Sequence, residues 1–334
     1  MASIDPSSSN SSTLSCDATV RSCSLNAQVL IPPALETICS VIVTYHPDSG
    51  FFERAVKITK QVANTVIVDN GSSEQAVLQL RNLARTLNAH LILNKENEGI
   101  ARALNQGVRW AQEHGYAWAL TVDQDSVVAE NLVETLSWLY EEFPEREKLA
   151  VIGSNHTDPI YRRPFWNFNG IGHCAWCEVK ATITSGSLIS LFAYQVVGPF
   201  HEELFIDCVD FEYCLRARSR GLRIIIACKP LLEHSIGAVT WHKLPWKMTG
   251  TSNHSPIRRY YMTRNRLVLV REYLLKEPAW TLTVLYWHLK STILMCLFEK
   301  DVMTKLWYTA LGVVDGAASN FQREIGRRNH ASKG

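Results

Sequence analysis

YAWALTVDQDS, residues 116–126, ends an apolar run on Asp123 and sets Asp125 two places later. A strand buries Ala119, Leu120 and Val122 readily. It does not bury two carboxylates without partners, because an unpaired buried charge costs several kcal/mol. The acids belong at the strand's end, where they have something to hold. Upstream segments share this form. TICSVIVTYHP (37–47) is a β-branched run ended by His46-Pro47, NTVIVDNGSS (64–73) stops on Asp69-Asn70-Gly71, and AHLILNKENEG (89–99) stops on Asn97-Glu98-Gly99. Between them lie helical patterns: FFERAVKITKQV, with Phe52, Val56, Ile58 and Val62 at helical spacing, EQAVLQLRNLARTL, and IARALNQGVRWAQEHG. Strand alternating with helix predicts an α/β fold, a parallel sheet with right-handed crossovers and helices on both faces. Such sheets bind ligands at the carboxyl ends of their strands. Thr44-Tyr45-His46, Asp69-Asn70, Asn97-Glu98-Gly99 and Asp123-Gln124-Asp125 therefore converge on one crevice. No G-x-G-x-x-G follows the first strand, which disfavours a dinucleotide fold of the dehydrogenase type.

Composition narrows the class. With 334 residues, 46% hydrophobic and 20% charged, the chain is globular. A net charge of +2 gives no global argument for nucleic acid. Nine cysteines at irregular spacing are not a disulfide framework. The polar start MASIDPSSSNSSTLSC carries no apolar signal core, so a reducing, cytoplasmic setting is expected. Cys174 and Cys177 form one C-x-x-C without a second pair at a matching distance, and structural thiols are expected there ahead of metal binding or redox chemistry. Residues 1–36 read as a flexible tail and 37–254 as the main α/β domain, with a helical region over 255–334. LAVIGSN, ATITSGSLISLFAYQVVG and LRIIIACKPLLEHSIG suggest further strands. WTLTVLYWHLKSTILMCLF (280–298), broken by His288 and Lys290, reads as an interfacial or core helix rather than a span.

Three constellations offer chemistry. Residues i and i+2 of an extended segment point to one side, so Asp123 and Asp125 make a seat for Mg²⁺ or Mn²⁺; a solvated loop is the competing reading. In FIDCVDFEYCLRARSRG (205–221), Asp207, Asp210 and Glu212 precede the bases as in a dipole-matched helix, and the competing reading gives one of these carboxylates a job as general base. His234, in LLEHSIG, offers a third metal ligand or a diphosphate contact, although a lone histidine is more often structural.

SVIVTYHP, VIVDNGSS, NEGIARALNQG, LTVDQDS, TSGSLIS, FIDCVDFEYCLRARSRG and EHSIG, in this order, resemble a family 2 inverting glycosyltransferase of the GT-A type. The DQDS strand end, the 205–221 segment and RRYYMTRN resemble bacterial rhamnosyltransferases in particular, over roughly residues 38–325. The resemblance implies a mostly parallel nucleotide-binding sheet flanked by helices, with a C-terminal helical region. It implies that Thr44 and Tyr45 border the nucleotide base, that Asp69 accepts from the pyrimidine, and that Asn97 and Arg102 lie near the nucleotide and its diphosphate. Asp123 would face the ribose and metal, Asp125 would ligate Mg²⁺ or Mn²⁺, and His234 would complete the metal shell. Asp210 aligns with the catalytic base, with Asp207 as its rival, and Thr184–Ile189 would line the acceptor side or form a core strand. The implied reaction moves L-rhamnose from dTDP-β-L-rhamnose to a glycan or lipid-linked glycan acceptor in surface polysaccharide assembly. Another nucleotide-hexose donor, a nucleotidyltransferase or a non-catalytic nucleotide-sugar-binding scaffold are the alternatives. The basic, aromatic C-terminal region is expected to contact the inner membrane face peripherally, to cap the acceptor site, or to form a homo-oligomer interface.

Overall fold

A computed structural model describes residues 31–158, 164–166, 168, 174–234, 239–244, 247–323 and 325. The first half alternates as expected: β1 (Ile38–Thr44), α1 (Phe51–Thr59), β2 (Asn64–Asp69), α2 (Glu74–Leu87), β3 (His90–Leu93), α3 (Ile100–Glu113) and β4 (Trp118–Asp123). β1 is buried along its whole length, and β2 and β4 nearly so, as suits strands covered on both faces. β3, β2, β1 and β4 are parallel neighbours, so their carboxyl ends share one edge.

Beyond β4 the sheet becomes mixed. β5 (Val127–Val128), α4 (Leu132–Glu142), β6 (Leu149–Thr157), β7 (Trp176–Glu178), β8 (Ser187–Ser190), α5 (Leu191–Val197), α6 (Val209–Ser219) and β9 (Arg223–Glu233) follow in the chain. The nine-stranded sheet runs β3-β2-β1-β4-β8-β6-β9-β5, with β7 paired to β9. β8 is antiparallel to both of its neighbours, β4 and β6. A separate hairpin, β10 (Thr240–Leu244) and β11 (Lys247–Thr251), precedes helices α7 (Pro256–Tyr273), α8 (Pro278–Phe298) and α9 (Val302–Ala318).

The structure departs from the sequence reading at several points. Helix α1 turns Phe51, Ala55 and Ile58 inward; of the expected face, Ile58 and Val62 are buried and Phe52 is exposed. Leu191–Val197 is a helix rather than more strand, capped by the Ser190 hydroxyl accepting from the Ala193 amide. The expected tail is anchored at its end, where the Trp118 indole donates to the Ile31 carbonyl at 2.9 Å. Cys174 and Cys228 form a disulfide where free thiols were expected, because β-pairing between β7 and β9 brings Cys228 to the C-x-x-C at the start of β7.

The C-terminal helices divide into a packed pair and an outlier. Gly312 and Gly316 let α9 lie directly on α7: a Cβ at these positions would sit 2.6 Å from the Tyr260 carbonyl oxygen and 2.7 Å from that of Arg264. Buried Glu299 takes ion pairs from Arg259 at 2.9 Å and Lys305 at 2.7 Å, tying the start of α9 to α7. Helix α8 buries only Thr281 and Met295, so it is not a core helix. By length and composition it is apolar enough to cross a membrane, with mean hydropathy 1.3.

Candidate active site

The crevice at the carboxyl edge of β1, β2 and β4 begins with a scaffold of enclosed polar groups. Asp69, fully buried at the end of β2, accepts from the Thr44 hydroxyl at 3.0 Å, the Ser72 hydroxyl at 2.5 Å and the Ser72 amide at 3.0 Å. Thr44 is equally buried. Both residues thus hold the loop after β2, and neither presents surface to a base as the sequence reading expected. Tyr45, half-buried, stands at the rim. Its amide donates to the Gln124 side-chain oxygen at 2.8 Å, and its carbonyl accepts from the Gln124 amide nitrogen at 3.0 Å. Gln124 thereby stitches the end of β1 to the turn that carries the two acids. Asn97 accepts from Asn70 and from the Gly99 amide, each at 3.0 Å, which shapes the loop entering α3.

Asp123 closes β4, and Gln124-Asp125 form a turn that the Ser126 amide completes with a 3.2 Å bond to the Asp123 carbonyl. The two acids therefore converge through a turn, not through strand alternation as expected. Buried Ser185 and Ser126 lie beneath them: the Asp123 amide donates to the Ser185 hydroxyl at 3.0 Å, the two hydroxyls meet at 2.8 Å, and Ser126 contacts His234 Nδ1 at 2.9 Å. Asp125 is exposed, 3.8 Å from His234 Nδ1. One ligand atom from each of Asp123, Asp125 and His234 lies within 4.8 Å of the other two. Burial raises the Asp123 pKa most and the Asp125 carboxylate raises it further, while His234 and Arg258 oppose the shift. A carboxyl pair under that strain, with two hard oxygen donors and one imidazole, fits a divalent cation such as Mg²⁺ or Mn²⁺. Beside it, buried His156 stacks on Phe165 at 4.7 Å, and its Nε2 has no partner among the described residues; burial first, then His234, push its pKa down to about 4.

The other acids arrive on a constrained loop. Phe205, Asp207 and Cys208 all have positive φ, near 61–65°. Such non-glycine conformations cost about 1–3 kcal/mol each and persist only where the surroundings impose them. Here α7 imposes them. The Asn265 amide nitrogen donates to the carbonyls of Leu204, Ile206 and Asp207 at 2.8–2.9 Å, and Arg264 donates to the Glu203 carbonyl at 2.6 Å. From the opposite side the Ile100 amide donates to the Phe205 carbonyl at 2.7 Å. Gly99 makes that approach possible, since its φ is +87° and a Cβ would lie 2.7 Å from Phe205.

The two rival acids have unlike surroundings. Asp207 is gripped by Arg258 through two contacts of 3.2 and 3.3 Å. Asp210, in the first turn of α6, receives the Phe211 amide at 2.9 Å and takes part in no ion pair among the described residues. Burial chiefly, helped by the charges of Asp207 and Asp123, raises its pKa to about 7. Glu212 is buried and committed to Arg216 at 2.8 and 2.9 Å.

Two candidates stand apart from this cluster. Arg102 is paired with Glu98 at 3.0 Å and opens on a cavity of about 200 Å³ shared with Tyr261, Arg264 and Phe321, which none of the other candidates line. Of Thr184–Ile189, Ser185 supports the acidic turn and Ser187–Ile189 are buried within β8, matching the core-strand alternative. The sequence reading did not single out Gln124, Ser126, His156, Arg258 or Asn265. Nothing in the spacing of RRYYMTRN says that Arg258 and Asn265 reach back to the loop before α6.

The model of glycosyl transferase family 2 matches residues 40–176. A dTDP-rhamnosyl transferase, RfbF of Shigella flexneri, is 32% identical over 247 residues, covering 70% of this chain and 80% of that protein. Glycosyltransferase GlyG of Streptococcus pneumoniae is 31% identical over 125 residues, or 36% and 40% of the two chains. S. aureus TarS 1-349 in complex with UDP has a TM-score of 0.56 at 14% identity, covering 85% of this chain and 88% of that one. Against the longer S. aureus TarS chain, this protein spans 44% of its length. The structural likeness carries the fold, which is GT-A. The sequence likeness over most of the chain carries the family: this protein is a glycosyltransferase and belongs to glycosyl transferase family 2.

Proposed function

We propose that the protein transfers L-rhamnose from dTDP-β-L-rhamnose to a glycan or lipid-linked glycan acceptor, with inversion, in surface polysaccharide assembly. The likeness to a dTDP-rhamnosyl transferase over 70% of the chain is the observation that carries the donor. The nucleotide base rests at the rim formed by Tyr45, with Thr44, Asp69 and Asn97 holding the loops around it. Asp123, Asp125 and His234 hold Mg²⁺ or Mn²⁺. That cation supplies charge neutralisation for the departing diphosphate. Two arginines reach the acidic turn where Arg102 does not: Arg54 donates to the Gln124 carbonyl at 2.7 Å, and the charge of Arg258 acts on Asp123.

Asp210 is the general base. A carboxyl with no ion pair among the described residues and a pKa raised to about 7 is matched to accepting a hydroxyl proton at neutral pH. As the acceptor oxygen attacks the anomeric carbon opposite the diphosphate, Asp210 takes its proton, the glycosidic bond forms and dTDP leaves. One displacement inverts the centre and needs no covalent sugar–enzyme intermediate. A second carboxylate flanking the bond, as in retaining glycosidases, has no part in it. Asp207, held by Arg258, positions the loop.

The acceptor side extends to a lipid surface. Helix α8 exposes Tyr286, Trp287, Leu289, Ile293 and Leu297, and α9 exposes Met303 and Trp307. Lys290 lies 4.2 Å from the Trp287 ring. Aromatic belts with basic neighbours suit the interface of an anionic bilayer, so the protein works in the cytoplasm against the inner membrane face. Co-sedimentation with anionic but not zwitterionic vesicles is expected; a dimer that buries α8 and ignores both vesicles contradicts this placement.

The donor is tested by incubating purified protein and Mn²⁺ with dTDP-rhamnose, UDP-glucose, UDP-N-acetylglucosamine and GDP-mannose, reading binding and nucleotide release. Selective use of dTDP-rhamnose is expected. Preference for another donor removes rhamnose and keeps the chemistry. Binding of none of them by folded, metal-supplied protein favours a scaffold.

A further inference from the structure

A second cluster of metal-ligating side chains lies away from the crevice chemistry. Cys174, Cys177 and Cys228 bring their sulfurs within 4.8 Å of one another, all half-buried. The chain builds this by pairing. β7 runs antiparallel to β9 with Trp176 opposite Ala227 and Cys177 opposite Ile226, and the Cys228 amide donates to the Ala175 carbonyl at 3.0 Å. The C-x-x-C at the start of β7 thus delivers two sulfurs to a third on the neighbouring strand. The Trp176 ring packs edge-on against Phe143 at 4.9 Å, and Asn155 holds the Cys228 carbonyl at 3.1 Å, so the backbone around the sulfurs is fixed.

A disulfide joins Cys174 and Cys228 and uses two of these sulfurs. A strand-to-strand link needs no third. Three convergent soft donors are the set that thiophilic cations select, whereas the oxygen-rich crevice suits Mg²⁺ or Mn²⁺. β7 has only three residues and pairs only with β9 among the described strands, a ladder too short to be secure alone. We propose that the reduced protein binds one Zn²⁺ through Cys174, Cys177 and Cys228, with solvent in the fourth position, and that this ion staples β7 to β9. A dithiol reductant opens the Cys174–Cys228 bond by giving two electrons and two protons. Two thiols form on the protein and a disulfide forms on the reductant. Binding then displaces the thiol protons to solvent. Strand β9 leads directly to His234, so the staple also steadies the strand that ends at the crevice.

The experiment is a Co²⁺ titration of the full chain, reduced with dithiothreitol, freed of reductant and metal, and kept anaerobic. One equivalent is expected to give a thiolate-to-cobalt charge-transfer band that Zn²⁺ abolishes. Cys177→Ser and Cys228→Ser lose it, while Asp125→Ala keeps it. Because a cysteine variant can misfold, peptide mapping of iodoacetamide labelling in the unmutated protein gives a second reading. Zn²⁺ is expected to shield Cys174, Cys177 and Cys228 together, and to leave exposed Cys296 reactive. Three freely alkylated thiols with Zn²⁺ present, or a cobalt band that survives both serine variants, overturns the proposal.

Discussion

The turn at Asp123-Gln124-Asp125 and the loop from Phe205 to Asp210 each bring two aspartates to one crevice, and their neighbours give them opposite characters. At the turn, both carboxylates and His234 converge within 4.8 Å. They crowd like charges, an arrangement that a bound divalent cation would relieve. At the loop, Arg258 occupies Asp207 and leaves Asp210 alone, with burial raising its pKa to about 7. On the proposed roles, residue type does not separate metal ligand from base; the neighbouring groups do.

The largest expected effect comes from removing the lone acid. Asp210→Asn should lower turnover about 10³-fold, within the range for a positioned general base, while donor affinity stays within about twofold. Equal losses of donor binding and turnover would erase the distinction between loop and turn.

Asn265→Ala comes next. It strips one amide from three carbonyls of the strained loop, and is expected to cut turnover about tenfold and stability by about 1–3 kcal/mol, by analogy with other broken buried polar contacts. Full activity in this variant would show that the positive-φ loop holds itself.

The pH profile sharpens the comparison further. Asp210 must be ionised to accept a proton, so kcat/KM should fall as pH drops through about 7. The Asp207 charge helps raise that pKa, so Asp207→Asn should move the acidic limb to lower pH while keeping its shape. An unmoved limb separates Asp207 from the base.

A smaller effect is thermodynamic. A carboxyl with a raised folded-state pKa stabilises the fold least when ionised: the loss develops as pH rises from the ordinary carboxylate range through about 7. Asp210→Asn is therefore expected to raise stability at pH 8 by about 1–2 kcal/mol, discounted for partial exposure, and to change little near pH 4. Differential scanning fluorimetry at both pH values reads it directly.

How much of this was legible in the sequence follows the same divide. β1 to β4 were readable because buried parallel strands are continuous apolar runs with polar ends, and because the helices between them have their own period. Leu191–Val197 was misread because an apolar run of helix looks like strand without its partners. The strand-end acids were visible as acids. That Asp69 is enclosed by Thr44 and Ser72 was not, since a strand end does not reveal which way the following loop folds. Arg258, Asn265 and Cys228 act on residues 51–61 positions away in the chain, and no local spacing records such contacts. Gly312 and Gly316 came closest to a missed local signal: two glycines four apart on an apolar helix announce a close helix contact.

The most direct test sets the two regions side by side: calorimetric titration of dTDP-rhamnose into the unmutated protein, Asp125→Asn and Asp210→Asn, each with and without Mn²⁺. The account predicts that Mn²⁺ strengthens donor binding about equally in the unmutated protein and Asp210→Asn, and that Asp125→Asn loses the metal effect. Metal-strengthened binding that survives in Asp125→Asn and disappears in Asp210→Asn would reverse the assignment of the two acids and contradict it.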